Sequence, residues 1–122
     1  MFLKTEKTLV DAFEKAGFDF VRFSEIDLGT IPRETAEDVL LLLVDEERVV
    51  RINEEMFTMK YLMDEAEEKI RKHLENEDVI TIAQVRDMFS TSRKSAKPIL
   101  EYMDSIKVTK KTGAESERVA YL

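Results

Sequence analysis

A chain of 122 residues, 43 % of them hydrophobic, can build one ordinary core or two very small ones and does not belong to the disordered class. It has no cysteine and a single histidine, His73, which excludes disulfides and thiolate metal centres and makes a histidine metal site or catalytic triad improbable. The net charge of −7 argues against a general nucleic-acid binder, and no apolar run reaches the length of a membrane span.

The elements follow from periodicity and punctuation. Lys4 to Ala16 is an amphipathic helix, with Leu9, Val10, Phe13 and Ala16 on one face and Gly17 as its C-terminal cap. Phe18 to Phe23 alternates apolar and polar residues and fits a packed loop or a short strand. Ser24 is placed to cap a very short helix through Leu28. Gly29-Thr30-Ile31-Pro32 is a turn, with Thr30 or Ile31 at the cap of the next helix and Pro32 in its first turn. Ala36, Val39, Leu40, Leu43 and Val44 form that helix's apolar stripe, and Asp45-Glu46-Glu47 ends it. Arg48 to Ile52 and Glu55 to Thr58 make a hairpin around Asn53-Glu54.

A second series then begins. Tyr61 to Leu74 is a helix with Leu62, Ala66, Ile70 and Leu74 in register, followed by a turn at Asn76-Glu77-Asp78 and a brief strand at Val79-Ile80. Thr81 caps a helix from Ala83 to Phe89. A further helix carries Ala96, Ile99, Leu100, Met103 and Ile106 at i, i+3, i+4, i+7 and i+10. A strand at Lys107 to Lys110, a turn at Gly113 to Glu117 and a strand from Arg118 to Leu122 close the chain. The order of helix, short helix, helix and hairpin repeats with a period of about sixty residues, without visible sequence identity. The fold class is mainly α with small β-hairpins, arranged as two tandem winged-helix units, 1–60 and 61–122, with no Gly- or Pro-rich linker between them.

Charge is unevenly spread over these units. Residues 1–60 hold 8 Lys/Arg and 14 Asp/Glu, a net −6, whereas residues 61–122 hold 11 and 12. Within 86–111 the balance is +4, from Arg86, Arg93, Lys94, Lys97, Lys107, Lys110 and Lys111 against Asp87, Glu101 and Asp104. A local basic face on an acidic body favours one oriented contact over diffuse binding. Arg93, Lys94 and Lys97 lie off the apolar stripe near a helix start, where cations oppose the helix dipole. A solvated helix face is the ordinary explanation of such a cluster, and Glu101 can pair with Lys97. A phosphate at that helix start would instead engage the cations, Ser92 and the backbone N–H groups together. Pro98 removes one helical hydrogen bond at a cost of about 3 kcal/mol, so either the helix bends or its regular part begins near Pro98. Lysines on a short edge hairpin are also a common guard against sheet aggregation, so Lys107, Lys110 and Lys111 alone carry little functional signal.

One stretch resembles a known family. Val85-Arg86-Asp87, Thr91-Ser92-Arg93-Lys94, Pro98-Ile99-Leu100-Glu101-Tyr102-Met103-Asp104 and Ile106-Lys107-Val108-Thr109-Lys110-Lys111 are similar to the last winged-helix domain of the selenocysteine-specific elongation factor, SelB. The similarity covers about a quarter of the chain well, and the two-unit layout extends a weaker likeness over the rest. Three positions depart from the family pattern: Ser90 and Lys107 stand where a glycine is usual, and Ser95 where the residue is frequently aromatic.

The resemblance implies a C-terminal fragment that binds the selenocysteine insertion hairpin of messenger RNA. Its second unit would bind and its first would act as a spacer. The residues expected to contact RNA are Thr91, Ser92, Arg93, Lys94 and Lys97, with Lys110 and Lys111 adding to them and Arg86 either contributing or tied up by Asp87. The parent factor would be a GTPase that carries selenocysteyl-tRNA to the ribosome through domains absent here. No enzyme motif, metal-ligand spacing or cofactor motif is present in the fragment itself. A cytoplasmic monomer that engages no membrane is expected, because the N-terminus does not resemble a signal peptide. The alternatives are a DNA-binding winged-helix regulator, which would normally dimerise, and a tandem winged-helix module that binds protein.

Overall fold

The structure is a computed structural model that describes residues 2–114 and 116–121. The chain divides into two compact units, Met1–Met63 and Asp64–Leu122.

In the first unit α1 spans Phe2–Ala16 and ends at Gly17, whose φ of +57° is the left-handed value glycine adopts without strain. Strand β1 is Val21–Arg22, α2 is Arg33–Asp45, β2 is Val49–Arg51 and β3 is Met56–Met59. The three strands make one antiparallel sheet in the order β1-β3-β2, with Val21 opposite Phe57 and Val50 opposite Thr58. Leu9 and Phe13 of α1, Val39, Leu40 and Leu43 of α2, and Val49, Phe57 and Met59 of the sheet share one core, as the apolar stripes predict.

Two local expectations fail here. No helix runs from Ser24 to Leu28; a 3-10 turn at Phe23–Glu25 takes its place. The Phe23 N–H donates to the Glu55 carbonyl at 2.9 Å, so the sheet holds the segment that would have opened a helix. The cap of α2 is Pro32, not Thr30 or Ile31. Ile31 is buried and its N–H closes a turn onto Leu28 at 3.0 Å, which delays the helix by a residue.

In the second unit α3 spans Lys60–Asn76, β4 Ile80–Thr81, α4 Ile82–Met88, α5 Arg93–Ser105, β5 Thr109–Lys111 and β6 Glu117–Ala120. The division between the units falls inside α3. The sheet order is β4-β6-β5, all antiparallel. Each unit therefore has three strands: the short strands suggested within Phe18 to Phe23 and at Val79-Ile80 form as β1 and β4 and join the hairpins in one sheet each. The Val79 carbonyl lies 2.9 Å from Nε2 of His73, and the expected Val79-Ile80 strand forms one residue later. The Thr81 hydroxyl accepts from the Gln84 N–H at 3.2 Å and the Gln84 side chain accepts from the Thr81 N–H at 2.9 Å, a reciprocal cap for α4.

Helix α5 begins at Arg93, so Pro98 lies inside it and the helix does not start late. Ala96, Ile99, Leu100 and Met103 are buried, but Ile106 is 41 % exposed. The helix has already ended there, and Val108, whose N–H reaches the Met103 carbonyl at 2.9 Å, is buried in its stead. Lys107 has a φ of +62° and belongs to the turn, so the strand expected at Lys107 to Lys110 runs from Thr109 to Lys111. Glu115 of the expected 113–117 turn and Leu122 of the closing strand lie outside the described residues.

A shift of sixty residues carries Arg33–Asp45 onto Arg93–Ser105 and Val49–Arg51 onto Thr109–Lys111. In that register Arg33 and Arg93, Ala36 and Ala96, and Leu40 and Leu100 are identical, so sequence identity between the repeats exists where none was seen.

Candidate nucleic-acid interface

Six of the eight expected contact residues, all but Lys110 and Lys111, lie around the start of α5. Helix α4 ends at Phe89, and the chain reverses through Ser90 at a φ of +50°. The Thr91 N–H donates to the Arg86 carbonyl at 2.9 Å, tying the end of α4 to the entry of α5. Ser92 is the extended cap residue; its carbonyl accepts from Ser95 and Ala96 at 3.1 and 2.9 Å, but its hydroxyl makes no capping bond. The Ser92 side chain therefore leaves the first N–H groups of α5 uncapped by its own oxygen, and the first turn holds no acidic residue. A helix start of this kind attracts an anion.

Burial fixes which side chains face outward. Ser95, Ala96, Ile99, Leu100 and Met103 pack inward, which turns Arg93 and Lys94 to solvent. Neither the Arg93 nor the Lys94 side chain makes a hydrogen bond or ion pair with a described residue. Lys97 and Thr91 are half-buried and each has a partner. The Arg86 guanidinium is exposed and pairs with the adjacent Asp87 carboxylate at 3.3 Å. The burial of Ser95 explains why it has no place in the site, whatever residue occupies that position in relatives.

The wing residues form a separate group. Lys110 and Lys111 are exposed on β5, an edge strand. They border an open surface depression of about 570 Å³ that is also lined by Glu101, Asp104 and Tyr121. Along α5, Glu101 lies eight residues beyond Arg93, about 12 Å at the helical rise. The outward face of α5 is thus basic at its start and acidic toward its end, beside the wing lysines. Of the eight expected contact residues, the structure groups Thr91, Ser92, Arg93, Lys94 and Lys97 on one segment, links Arg86 to it through backbone, and sets Lys110 and Lys111 at the acidic end of the helix.

Sequence reasoning missed Arg118. It is fully buried, and its Nε donates to both Asp104 oxygens at 3.1 and 2.9 Å while Nη1 donates to the Glu117 carbonyl at 3.2 Å. The Thr109 hydroxyl donates to the same carboxylate at 2.7 Å. Asp104 therefore belongs to an internal ion pair and does not simply offset the basic face. The neighbourhood of Arg118, an alternating strand ending the chain, gives no sign of this; only the comparison with buried Phe57 in the first unit does.

Comparison with known proteins follows the same division. Residues 72–116 match the family model for the winged helix of elongation factor SelB. A selenocysteine-specific elongation factor from Desulfomicrobium baculatum is 34 % identical over 82 residues, which is 65 % of this chain and 13 % of that protein. The chain thus spans about an eighth of the length of that relative. The mRNA-binding domain of elongation factor SelB from E. coli, solved in complex with SECIS RNA, superposes with a TM-score of 0.77 over 98 % of both chains at 17 % identity. A bacterial selenocysteine-specific elongation factor superposes with a TM-score of 0.74 over 96 % of this chain and 18 % of its own, at 20 % identity. The resemblance to the SelB winged-helix region is shown, and the fold is that of two tandem winged helices.

Proposed function

We propose that this chain is the RNA-reading end of a selenocysteine-specific elongation factor, and that its second unit binds the selenocysteine insertion hairpin in messenger RNA. The observation that carries the reading is the start of α5, where exposed Arg93 and Lys94 follow a cap residue, Ser92, whose own side chain makes no hydrogen bond to the helix start. That arrangement has a small electrostatic cost in the free protein and becomes favourable when a phosphate arrives. Ser92 and Thr91 add short polar contacts, Lys97 a further cation one turn on, and Arg86, Lys110 and Lys111 outer contacts. The similarity to a SelB domain solved with SECIS RNA supports the same assignment.

An RNA hairpin offers phosphates on its stem and unstacked base edges in its loop or bulge, while the A-form major groove hides its bases from side chains. A short basic helix start suits the first two features. The first unit, with its net −6, acts as a spacer. In the whole factor the remaining domains would hydrolyse GTP and carry selenocysteyl-tRNA to the ribosome in the cytoplasm, and the fragment itself performs no catalysis. No helix among the described residues is long and apolar enough to cross a membrane. The fragment works as a monomer.

Titration of the full chain against a bulged RNA hairpin, the same stem fully paired and duplex DNA of equal length tests this reading. Preference for the bulged hairpin is the expected result. Equal affinity for all three would place the protein among unspecific binders or among protein-interaction modules.

A further inference from the structure

The groove on the first unit between the 3-10 turn, α2 and the β2–β3 loop has no role in the reading above. It measures about 310 Å³ and is lined only by residues of that unit. Phe23, Leu41 and Phe57 supply its apolar wall, and Glu37, Glu54 and Glu55 its acidic rim, Glu55 being paired with Arg22 at 3.2 Å. Arg51 also lines it, but its guanidinium donates to the Asn53 and Glu54 carbonyls at 3.3 and 3.0 Å and lies 5.6 Å from the Phe57 ring, so its charge is already engaged.

Leu41 is the informative residue. It is 61 % exposed, and the core does not need it. At the matching position of α5 the second unit carries Glu101, exposed on the same fold. Leu41 is therefore not required by the winged-helix scaffold. Glu34 and Glu37, likewise exposed, stand where the second unit carries Lys94 and Lys97. An acidic rim repels phosphates and so rejects nucleic acid, while it attracts cationic side chains. An apolar wall of this size accommodates a leucine or phenylalanine side chain.

We propose that this groove is a docking surface for a basic protein segment that carries an apolar anchor. The anchor packs against Leu41 and the part of Phe23 that Arg33 leaves uncovered, and flanking Lys or Arg side chains meet Glu37 and Glu54. Charge complementarity decides the occupant: the unit is at −6, and its groove presents Glu37 and Glu54, beside a Glu55 already paired with Arg22, around an apolar wall. The inference does not rest on the RNA reading, since the two surfaces belong to different units.

The test uses the full chain, labelled with 15N, and three synthetic peptides. One is lysine-rich with a central Leu-Phe pair, one has Glu for every Lys, and one has Ala-Ala in place of the anchor. The first peptide is expected to bind and to shift amide signals around residues 23–24, 37–41 and 51–57. Removal of the anchor should weaken binding about ten-fold, and the acidic peptide should not bind. Glu37→Lys and Leu41→Ser should each weaken binding about ten-fold with the melting temperature unchanged; both side chains are exposed, and either variant carries the test alone. Failure of the lysine-rich peptide to bind, equal affinity of the peptide without an anchor, or shifts confined to residues 64–122 would overturn the proposal.

Discussion

Helices α2 and α5 are the same object with opposite charge. In a register of sixty, Ala36, Val39, Leu40 and Leu43 stand where Ala96, Ile99, Leu100 and Met103 stand, and all eight are buried. Both helices end in the same motif. Glu47 and Lys107 have φ values of +60° and +62°, and the N–H groups of Arg48 and Val108 reach back to Leu43 and Met103 at 3.0 and 2.9 Å. The outward positions differ: Glu34 against Lys94, Glu37 against Lys97, Leu41 against Glu101. Even the shared arginine behaves differently. Arg33 lies 5.1 Å from the Phe23 ring, whereas Arg93 has no side-chain partner among the described residues. The lesson is that buried residues specify the winged helix, and outward residues decide what it meets.

The largest difference inside the two cores is also the largest predicted effect. Strand registers place Phe57 and Arg118 at equivalent positions, opposite Val21 and Ile80. Val44 and Asp104 match as well. The first unit fills this place with apolar contacts and the second with an ion pair between a fully buried arginine and a half-buried carboxylate. Asp104→Ala would strand the Arg118 guanidinium and should destabilise the second unit by about 3–5 kcal/mol. Asp104→Val combined with Arg118→Phe, which copies the first unit, should recover most of that loss, because well-packed apolar pairs replace buried ion pairs at little cost. Urea melts of the wild type, single and double variants measure this. A double variant no better than Asp104→Ala would show that the two cores are not interchangeable.

Charge reversal at the helix start comes next. Arg93→Glu or Lys94→Glu makes α5 resemble α2 and should weaken hairpin binding by about ten-fold or more, with the melting temperature unchanged because both side chains are exposed. RNA titration beside thermal melting reads both halves, and unchanged affinity would remove these residues from the site. With about three to five cations facing phosphates, the slope of log K against log salt should be about −3 to −5 on the B-DNA scale, less for a single strand. Each reversal should make that slope shallower by about one. A flat salt dependence would mean that the start of α5 is not where phosphate binds.

Most of the fold was legible because both halves repeat one pattern of apolar spacing, and Gly17 and the Thr81–Gln84 box punctuate it. What was not legible depended on tertiary pairing. The bond from Phe23 to Glu55 keeps the short helix at Ser24 to one 3-10 turn, and Ile31 leaves the helix cap for the core; neither is written in local preference. Arg118 was hidden for the same reason, since its partner Asp104 is fourteen residues away and on another element. The candidate site was legible as a list of residues but not as a surface. Only the structure shows that Lys110 and Lys111 sit beside Glu101 and Asp104, whereas the pairing of Arg86 with Asp87 was already open in the sequence and forms at 3.3 Å.

The smallest expected effect concerns the positions where this chain departs from the glycine usual in the family pattern. Ser90 and Lys107 both have positive φ, +50° and +62°. A side chain in the left-handed region crowds the following carbonyl at a cost of roughly 1–2 kcal/mol, which glycine avoids. Glycine also gains more freedom in the unfolded chain, which removes roughly 0.5–1 kcal/mol of that benefit. Ser90→Gly and Lys107→Gly should therefore each stabilise the second unit by about 0.5–1 kcal/mol. Glu47→Gly should do the same for the first unit, because its helix ends in the same motif at the same φ. The comparison sharpens if Glu47→Gly and Lys107→Gly give equal gains in urea melts. It breaks if one stabilises and the other does not, since the two turns would then differ in something their shared hydrogen bonds do not record. Ser90→Gly has no counterpart in the first unit, where a 3-10 turn stands in place of α4, so its gain is independent of the repeat. RNA affinity measured on the same variant adds a second reading. Ser90 sets the entry of Thr91 and Ser92 into α5, and affinity should stay within about two-fold if glycine keeps that path. A stabilised variant that lost binding would mean that the serine at this turn restrains the helix start in a way the free protein does not need.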